Sequence, residues 1–240
     1  MTPFARLLEA LVFTPGRTAK LRLLVAYFRS APDPDRGHAL AAFTGGETVP
    51  SVTPSVFRTL AEERVDPVLF RLSYDFVGDL AETVSLIWPA PETPPAPPPP
   101  LAEVVETLRT ASRTQRPAAV ARLLDRLGPS ERLALVKLCA GGLRVGVSAR
   151  LAKTALAEMG GVEIARIEEL WHGLAPPYAS LFRWLEGGPE PSVDLTLAFR
   201  PMMLAHPVEA FLYTAAEQRG NADTDAETLT RLEERLAPED

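Results

Sequence analysis

The stretch GGLRVGVSAR at 141–150 combines residue types that can hold an anion. Glycines let a backbone come within hydrogen-bonding reach of a phosphate, and the free amides of a helix N-terminus favour negative charge. A helix that begins near Ser148 would present such amides, with Arg144, Arg150 and Lys153 around them. We therefore predict a contact with the DNA backbone, which holds a duplex without reading its sequence. The residues predicted to make it are Gly141, Gly142, Arg144, Gly146, Ser148, Arg150 and Lys153.

A purely structural interpretation of this stretch stays open. Paired glycines commonly close a helix, and Gly146 would then be an ordinary turn glycine. The stretch has neither a Walker lysine nor the GxGxxG spacing of a nucleotide-binding turn. A related stretch at 44–52, TGGETVPSV, keeps the two glycines but has Thr48 where the other has Arg144.

Positive charge is concentrated in the middle of an acidic chain. The net charge of the protein is −6, yet residues 101–153 carry 10 Lys and Arg against 4 Asp and Glu, a net +6. A basic surface can bind phosphates by releasing counterions, whereas arginines in i,i+4 pairs on a solvated helix face would need no partner. Four further residues are secondary candidates for DNA contact: Arg113, Arg116, Arg17 and Lys20.

Eight prolines among residues 89–100 divide the chain. Proline fixes φ and lacks an amide donor, so PAPETPPAPPPP predicts an extended polyproline-II spacer of roughly 37 Å, at about 3.1 Å per residue. A ligand for SH3-type modules is the alternative use of such a segment. We expect a first helical repeat at 1–88, a second at 101–206, and a C-terminal tail with a final helix at 207–240.

The two halves resemble each other in order. TGGETV at 44–49 and AGGLRV at 140–145 share two glycines and a valine at an offset of 96 residues. At the same offset LAE recurs at 60–62 and 156–158. Ordered matches favour an old duplication, and such units usually pack about a pseudo-two-fold axis.

The hydrophobic pattern is helical almost throughout. Apolar residues recur at i, i+3, i+4 and i+7, and strand-type alternation is nearly absent. The predicted fold is therefore all-α. Ser148 is placed to open one helix and the glycines at 160–161 to close it. The clearest helical segments are 19–30, 55–65, 101–113, 118–128, 130–142 and 148–161.

Several long motifs carry a resemblance to a known family. They are TPGRTAKLRLLVAYF, VGDLAET, GGLRVGVSARLAKTALAE, EELWHGLAPPY and FRPMMLAHP, in order over about residues 3–207. Together they resemble the N-terminal DNA-binding domain of bacterial ATP-dependent DNA ligases. The resemblance implies an all-helical domain of two related halves that grips the minor groove of double-stranded DNA on both sides of a nick. It also implies that the minor-groove and backbone contacts include Gly141, Gly142, Leu143, Arg144 and Gly146.

The C-terminal part departs from that family. Its members carry a lysine in a K-x-D-G motif that takes AMP covalently, and none of the three lysines here, Lys20, Lys137 and Lys153, stands in such a motif. We expect no catalytic residue and no cofactor in this chain, because ATP and Mg²⁺ would enter only with a separate ligase catalytic domain. One alternative is a free-standing helical protein-interaction scaffold, which the acidic stretch ETLTRLEERLAPED favours. Another is an enzyme of unfamiliar chemistry, which labelled ATP would reveal as a covalent adduct.

The sequence gives little support for a disulfide, a metal site, a serine nucleophile or a base-stacking surface. Cys139 is the only cysteine, which excludes an internal disulfide, and His38, His172 and His206 lie far apart without metal-ligand spacing. The chain has no G-x-S-x-G nucleophile elbow. The spacing of its aromatic residues favours helix packing over base stacking for Trp171, Tyr178, Phe182 and Trp184.

The sequence predicts no membrane segment. Its longest apolar runs fall well short of the roughly 20 residues that a membrane helix needs. The first residues lack the basic and apolar regions of a signal peptide. We therefore expect a cytoplasmic, nucleoid-associated protein.

Overall fold

The computed structural model describes residues 1–46, 49–90, 97–141, 143 and 145–192, which form helices joined by loops without any strand. The predicted all-α fold is confirmed. Before the Pro-rich segment lie α1 (Thr2–Phe13), α2 (Arg17–Ser30), α3 (Asp35–Thr44), α4 (Pro54–Glu62), α5 (Pro67–Val77) and α6 (Leu80–Ile87). After it lie α7 (Leu101–Thr110), α8 (Arg116–Arg126), α9 (Pro129–Cys139), α10 (Ala149–Gly160), α11 (Ile164–Trp171) and α12 (Ala179–Leu185).

Local signals in the sequence set the bounds of α10. The Ser148 hydroxyl oxygen accepts the amide hydrogen of Leu151 at 3.1 Å, as an N-cap does. Gly161 closes the helix in the left-handed conformation, with φ +65°. Both predicted signals are confirmed. The segment predicted as helix over 130–142 ends earlier, at Cys139, because Gly141 takes a φ of +71° that a helix does not allow.

The helices on both sides of the Pro-rich segment share one hydrophobic core. Phe4 and Phe28 from the first half belong to the same buried cluster as Leu135 and Phe182 from the second. Helices also pair reciprocally across the halves: α1 packs on α9 as α7 packs on α3, and α2 packs on α10 as α8 packs on α4. An internal duplication would produce such reciprocal pairs, and the duplication itself stays a prediction.

Two buried arginines, 96 residues apart, tie the halves together. Arg36 in α3 donates to a carbonyl near the end of α2 at 3.2 Å and to the Glu186 carboxylate just after α12. Arg132 in α9 donates to a carbonyl near the end of α8 at 2.9 Å and to the Trp88 carbonyl just after α6, also at 2.9 Å. Each guanidinium thus joins the preceding helix to the last helix of the opposite half.

The helix that follows the Pro-rich segment, α7, is capped by a residue of the first half. The amides of Leu101 and Ala102 donate to the Asp35 carboxylate at 2.9 and 2.8 Å, so a side chain of the first half caps α7. Residues 91–96 lie outside the described residues, as does everything after 192, so the polyproline prediction and the tail with its final helix stay predictions. Within the described ranges no helix has the length and apolarity needed to cross a membrane.

Candidate nucleic-acid interface

The glycine-rich turn between α9 and α10 is anchored by its apolar residues. Val145 is buried, and Leu143 is partly buried against the core. The glycines on either side, Gly141 and Gly146, are exposed and take φ values of +71° and +67°. Only glycine adopts this region readily, so the chain can reverse here and keep its backbone near the surface. Two predicted contacts, Gly142 and Arg144, lie outside the described residues.

The N-terminus of α10 faces outward beside this turn. Ser148 and Arg150 are exposed. The Ser148 side chain accepts one amide of the first turn, that of Leu151. The amides of Ala149 and Arg150 make no hydrogen bond to another residue that the structure describes. Unpaired first-turn amides and the helix dipole favour an anion at this end.

Lys20 of α2 reaches the same turn from the other half of the protein. Its Nζ donates to the carbonyl oxygen of Val145 at 2.6 Å. The absence of a side chain on Gly146 makes room for it, because a Cβ there would overlap the Lys20 ammonium. The packing of α2 on α10 places these residues together.

A groove of about 930 Å³ lies between the start of α2 and the start of α10. No carboxylate is among its described lining residues. Its two arginines, Arg17 and Arg150, are exposed and form no ion pair with a residue in the described ranges. The lining residues are Pro15, Arg17, Lys20, Gly146, Val147, Ser148, Arg150 and Leu151. A cluster of cations and helix amides without a nearby carboxylate suits an anionic ligand.

The basic character of residues 101–153 is not one continuous surface. Arg132 is only 3% exposed, and its donors are used on carbonyl groups. Arg126 pairs with Glu103 at 2.8 Å, and Lys137 pairs with Asp79 at 3.3 Å. The net +6 therefore overstates the charge that this region offers to a ligand.

Lys153 is engaged elsewhere. Its Nζ lies 4.5 Å from the ring centroid of Trp171, in cation–π geometry. Burial lowers the pKa of Lys153, and the Glu168 carboxylate partly opposes that shift. Lys153 is half-buried and does not line the groove, although it shares α10 with Arg150.

Arg113 lies in the loop before α8, Arg116 is the first residue of α8, and neither lines the groove. Arg113 is exposed. Arg116 is half-buried and donates to the Ala111 carbonyl at 3.4 Å, which holds the α7–α8 loop. Arg116 is the first residue of α8, as Arg17 is the first residue of α2. The two helices also have equivalent neighbours, because α8 packs on α4 as α2 packs on α10.

The aromatic residues pack against protein, as their spacing predicted. Trp171 stacks on Tyr178 with ring centroids 5.0 Å apart, and Phe182 lies 5.8 Å from Phe28. Tyr178 and Phe182 are buried, and burial raises the pKa of the Tyr178 hydroxyl. Trp184 is partly buried against the same core.

Neither a protein-family model nor a curated protein matches the sequence. The proposed function therefore depends on the residues that line the groove. The sequence had singled out Arg17, Lys20, Gly146, Ser148 and Arg150, and the fold brings these five to one groove. No sequence signal marked the remaining wall, Pro15, Val147 and Leu151, because apolar residues beside a groove have the same pattern as core residues.

Proposed function

We propose that this chain is a sequence-tolerant DNA-binding module of the ATP-dependent DNA ligase type, which holds nicked or intact duplex DNA. The groove between α2 and α10 carries the proposal. There Arg17, Lys20 and Arg150 converge on the free amides of a helix N-terminus, with no carboxylate among the described lining residues.

The chemistry of the groove suits phosphate groups. Guanidinium groups bind phosphate oxygens through bidentate hydrogen bonds, and backbone amides add neutral donors at close range. The Lys20 ammonium has three donors, of which the Val145 carbonyl takes one. Such contacts fix a duplex by its backbone and carry no base preference.

A second, weaker contact is proposed at the reciprocal position. Helix α8 packs on α4 as α2 packs on α10, and Arg113 and Arg116 lie just before α8 and at its first residue. The Arg113 side chain is exposed there. Two contact surfaces related in this way would hold a duplex on both sides of a nick, as the family resemblance implies.

The nick-sealing reaction itself is assigned to a separate ligase catalytic domain. That domain would supply the lysine nucleophile, ATP and Mg²⁺, since no K-x-D-G motif occurs in this chain. The module would then serve DNA repair or replication by holding the substrate. The module would be located in the cytoplasm, bound to the nucleoid.

Fluorescence anisotropy with nicked and intact duplexes, measured at low and moderate salt, tests the proposal. The wild-type affinity should fall steeply with salt and depend little on sequence. In the double variant Arg17→Ala with Arg150→Ala the affinity should fall. The salt slope should also shrink by about two, close to one for each phosphate that the variant no longer neutralises.

The matched control is Arg22→Ala with Arg29→Ala. Both residues are exposed on α2 but do not line the groove. This control removes the same net charge and should keep most of the affinity and the salt slope. Equal losses in the two double variants would mean that net charge alone drives binding and would reject the groove. Absence of salt-dependent binding by the wild type would reject DNA binding and favour the interaction scaffold.

A further inference from the structure

Helix α5 stands on the outside of the fold with an apolar outer face. It buries one residue, Phe70, and packs against α4 and α6. Val68 and Leu69 are each 53% exposed, Leu72 is 63% exposed and Phe76 is 92% exposed. These residues recur at helical spacing and form one stripe along α5. Adjacent exposed apolar residues of this kind mark an interaction surface rather than scattered surface hydrophobics.

The other half of the protein provides an internal comparison. At an offset of 97 residues, Ile167 is buried in α11 as Phe70 is in α5, and α11 also buries Leu170. At the positions of Leu69 and Leu72, α11 has Arg166 and Glu169, which pair with each other at 2.6 Å. The fold therefore accepts a solvated ion pair at these positions. The core therefore does not require the two leucines that α5 has in place of this ion pair.

The charges beside the stripe match those of a second α5. Arg71 and Asp75 lie one turn apart on the same flank of the stripe and form no ion pair with any described residue. When two identical helices pack antiparallel about a two-fold axis, the same flank of each helix meets. Arg71 of one copy would then lie opposite Asp75 of the other. The two-fold axis repeats this pair, so the interface would contain two of them.

We propose that α5 is the contact surface of a two-fold symmetric dimer of this chain. The helices pack antiparallel, with Leu72 near the axis and Phe76 of one copy against Val68 of the other. The largest apolar patch on a typical monomer covers about 300–600 Å². A stable interface buries about 800 Å² per partner, so the flanking polar residues must contribute and the association is weak. This contact is independent of the proposed DNA binding.

Sedimentation equilibrium of the full chain over a micromolar concentration range tests the dimer. The wild type should shift from monomer to dimer as its concentration rises. Leu72→Glu, which introduces the residue type that α11 has, should raise the dissociation constant by roughly tenfold or more, because it places two charges near the axis. Phe13→Glu is the matched control, since Phe13 is 79% exposed at the end of α1, and it should leave the association unchanged.

Charge reversal distinguishes a second copy from any other occupant of the surface. Arg71→Asp alone and Asp75→Arg alone should each weaken the dimer by about fivefold, since each turns two attractive pairs into two repulsive ones. The two changes together should restore the wild-type dissociation constant. Circular dichroism should show unchanged helix content in every variant. A wild type that stays monomeric over the whole range, or a double variant without recovery, overturns the proposal.

Discussion

The ammonium of Lys20 lies 2.6 Å from the carbonyl oxygen of Val145, a residue 125 positions away in the chain. This hydrogen bond joins the start of α2 to the glycine-rich turn before α10. It fixes the direction of one carbonyl in the turn, and it leaves two ammonium donors for the groove. The position of Lys20 in turn depends on Gly146, where a Cβ would overlap its Nζ.

Gly146→Ala should therefore affect both stability and DNA binding. Alanine at a φ of +67° costs about 1–2 kcal/mol in free energy of unfolding, because its Cβ crowds the following carbonyl. The new methyl group would also displace the Lys20 ammonium from the Val145 carbonyl. Urea denaturation should show the loss of stability, and fluorescence anisotropy should show weaker binding to duplex DNA.

Gly161→Ala separates these two effects. Gly161 has a φ of +65° at the end of α10, and an added Cβ would meet nothing within 4 Å. This variant should lose a similar free energy of unfolding and keep the wild-type DNA affinity. If Gly161→Ala weakens DNA binding as much as Gly146→Ala does, the loss comes from lower stability and not from Lys20.

The helices and their caps could be predicted from the sequence because they depend on neighbouring residues. The period of apolar residues located α2, α4 and α7 to α10, and Ser148 marked the start of α10. The exposed stripe of α5 could not be predicted in this way, since exposed leucines follow the same helical period as buried ones. Their exposure follows from which helices pack on α5, and a periodic pattern does not contain that information.

Long-range contacts could not be predicted for a related reason. Lys20 and the 141–150 turn could be named separately, but their meeting depends on how α2 packs on α10. Arg132 was counted among the basic residues of the middle region, yet it is buried and used inside the fold. Its buried environment is made by segments 43 and 44 residues earlier in the chain, which a local pattern does not reveal.

Arg132→Leu should destabilise the protein strongly. The Arg132 guanidinium donates to the carbonyls of Leu124, Trp88 and Pro89 at 2.9, 2.9 and 3.1 Å. Leucine would remove this donor from all three carbonyls, of which only that of Leu124 keeps another described donor, the Leu127 amide at 3.4 Å. The cost is about 1–3 kcal/mol for each carbonyl that stays buried and unpaired. Urea denaturation should show a loss of roughly 3 kcal/mol or more in free energy of unfolding.

Arg122→Leu is the matched control for this loss. Arg122 lies exposed on α8 and forms no ion pair with a residue that the structure describes. The same substitution there should change the free energy of unfolding by less than about 0.5 kcal/mol. A loss below about 1 kcal/mol in Arg132→Leu would show that the carbonyls find other partners and that Arg132 does not hold the two halves together.

His38 should make stability depend on pH near neutrality. Its side chain is buried in α3, and burial lowers its pKa from the ordinary value of 6.5. The nearby charges act in both directions, since Asp35 and Glu106 raise this pKa and Arg109 lowers it further. As the pH falls below 6.5, the unfolded chain takes up a proton that the folded protein resists, so unfolding becomes easier. The stabilisation is complete above pH 6.5 and decreases as the pH falls toward the folded pKa.

His38→Gln should flatten this dependence, because glutamine does not titrate. The measurement is the free energy of unfolding between about pH 7 and pH 5.5, above the range in which ordinary carboxylates take up protons. His172→Gln is the control, since His172 is exposed and its replacement should leave the slope of the wild type unchanged. If His38→Gln keeps the wild-type slope, the proton is taken up by another group, such as the Met1 α-amino group, whose pKa burial also lowers.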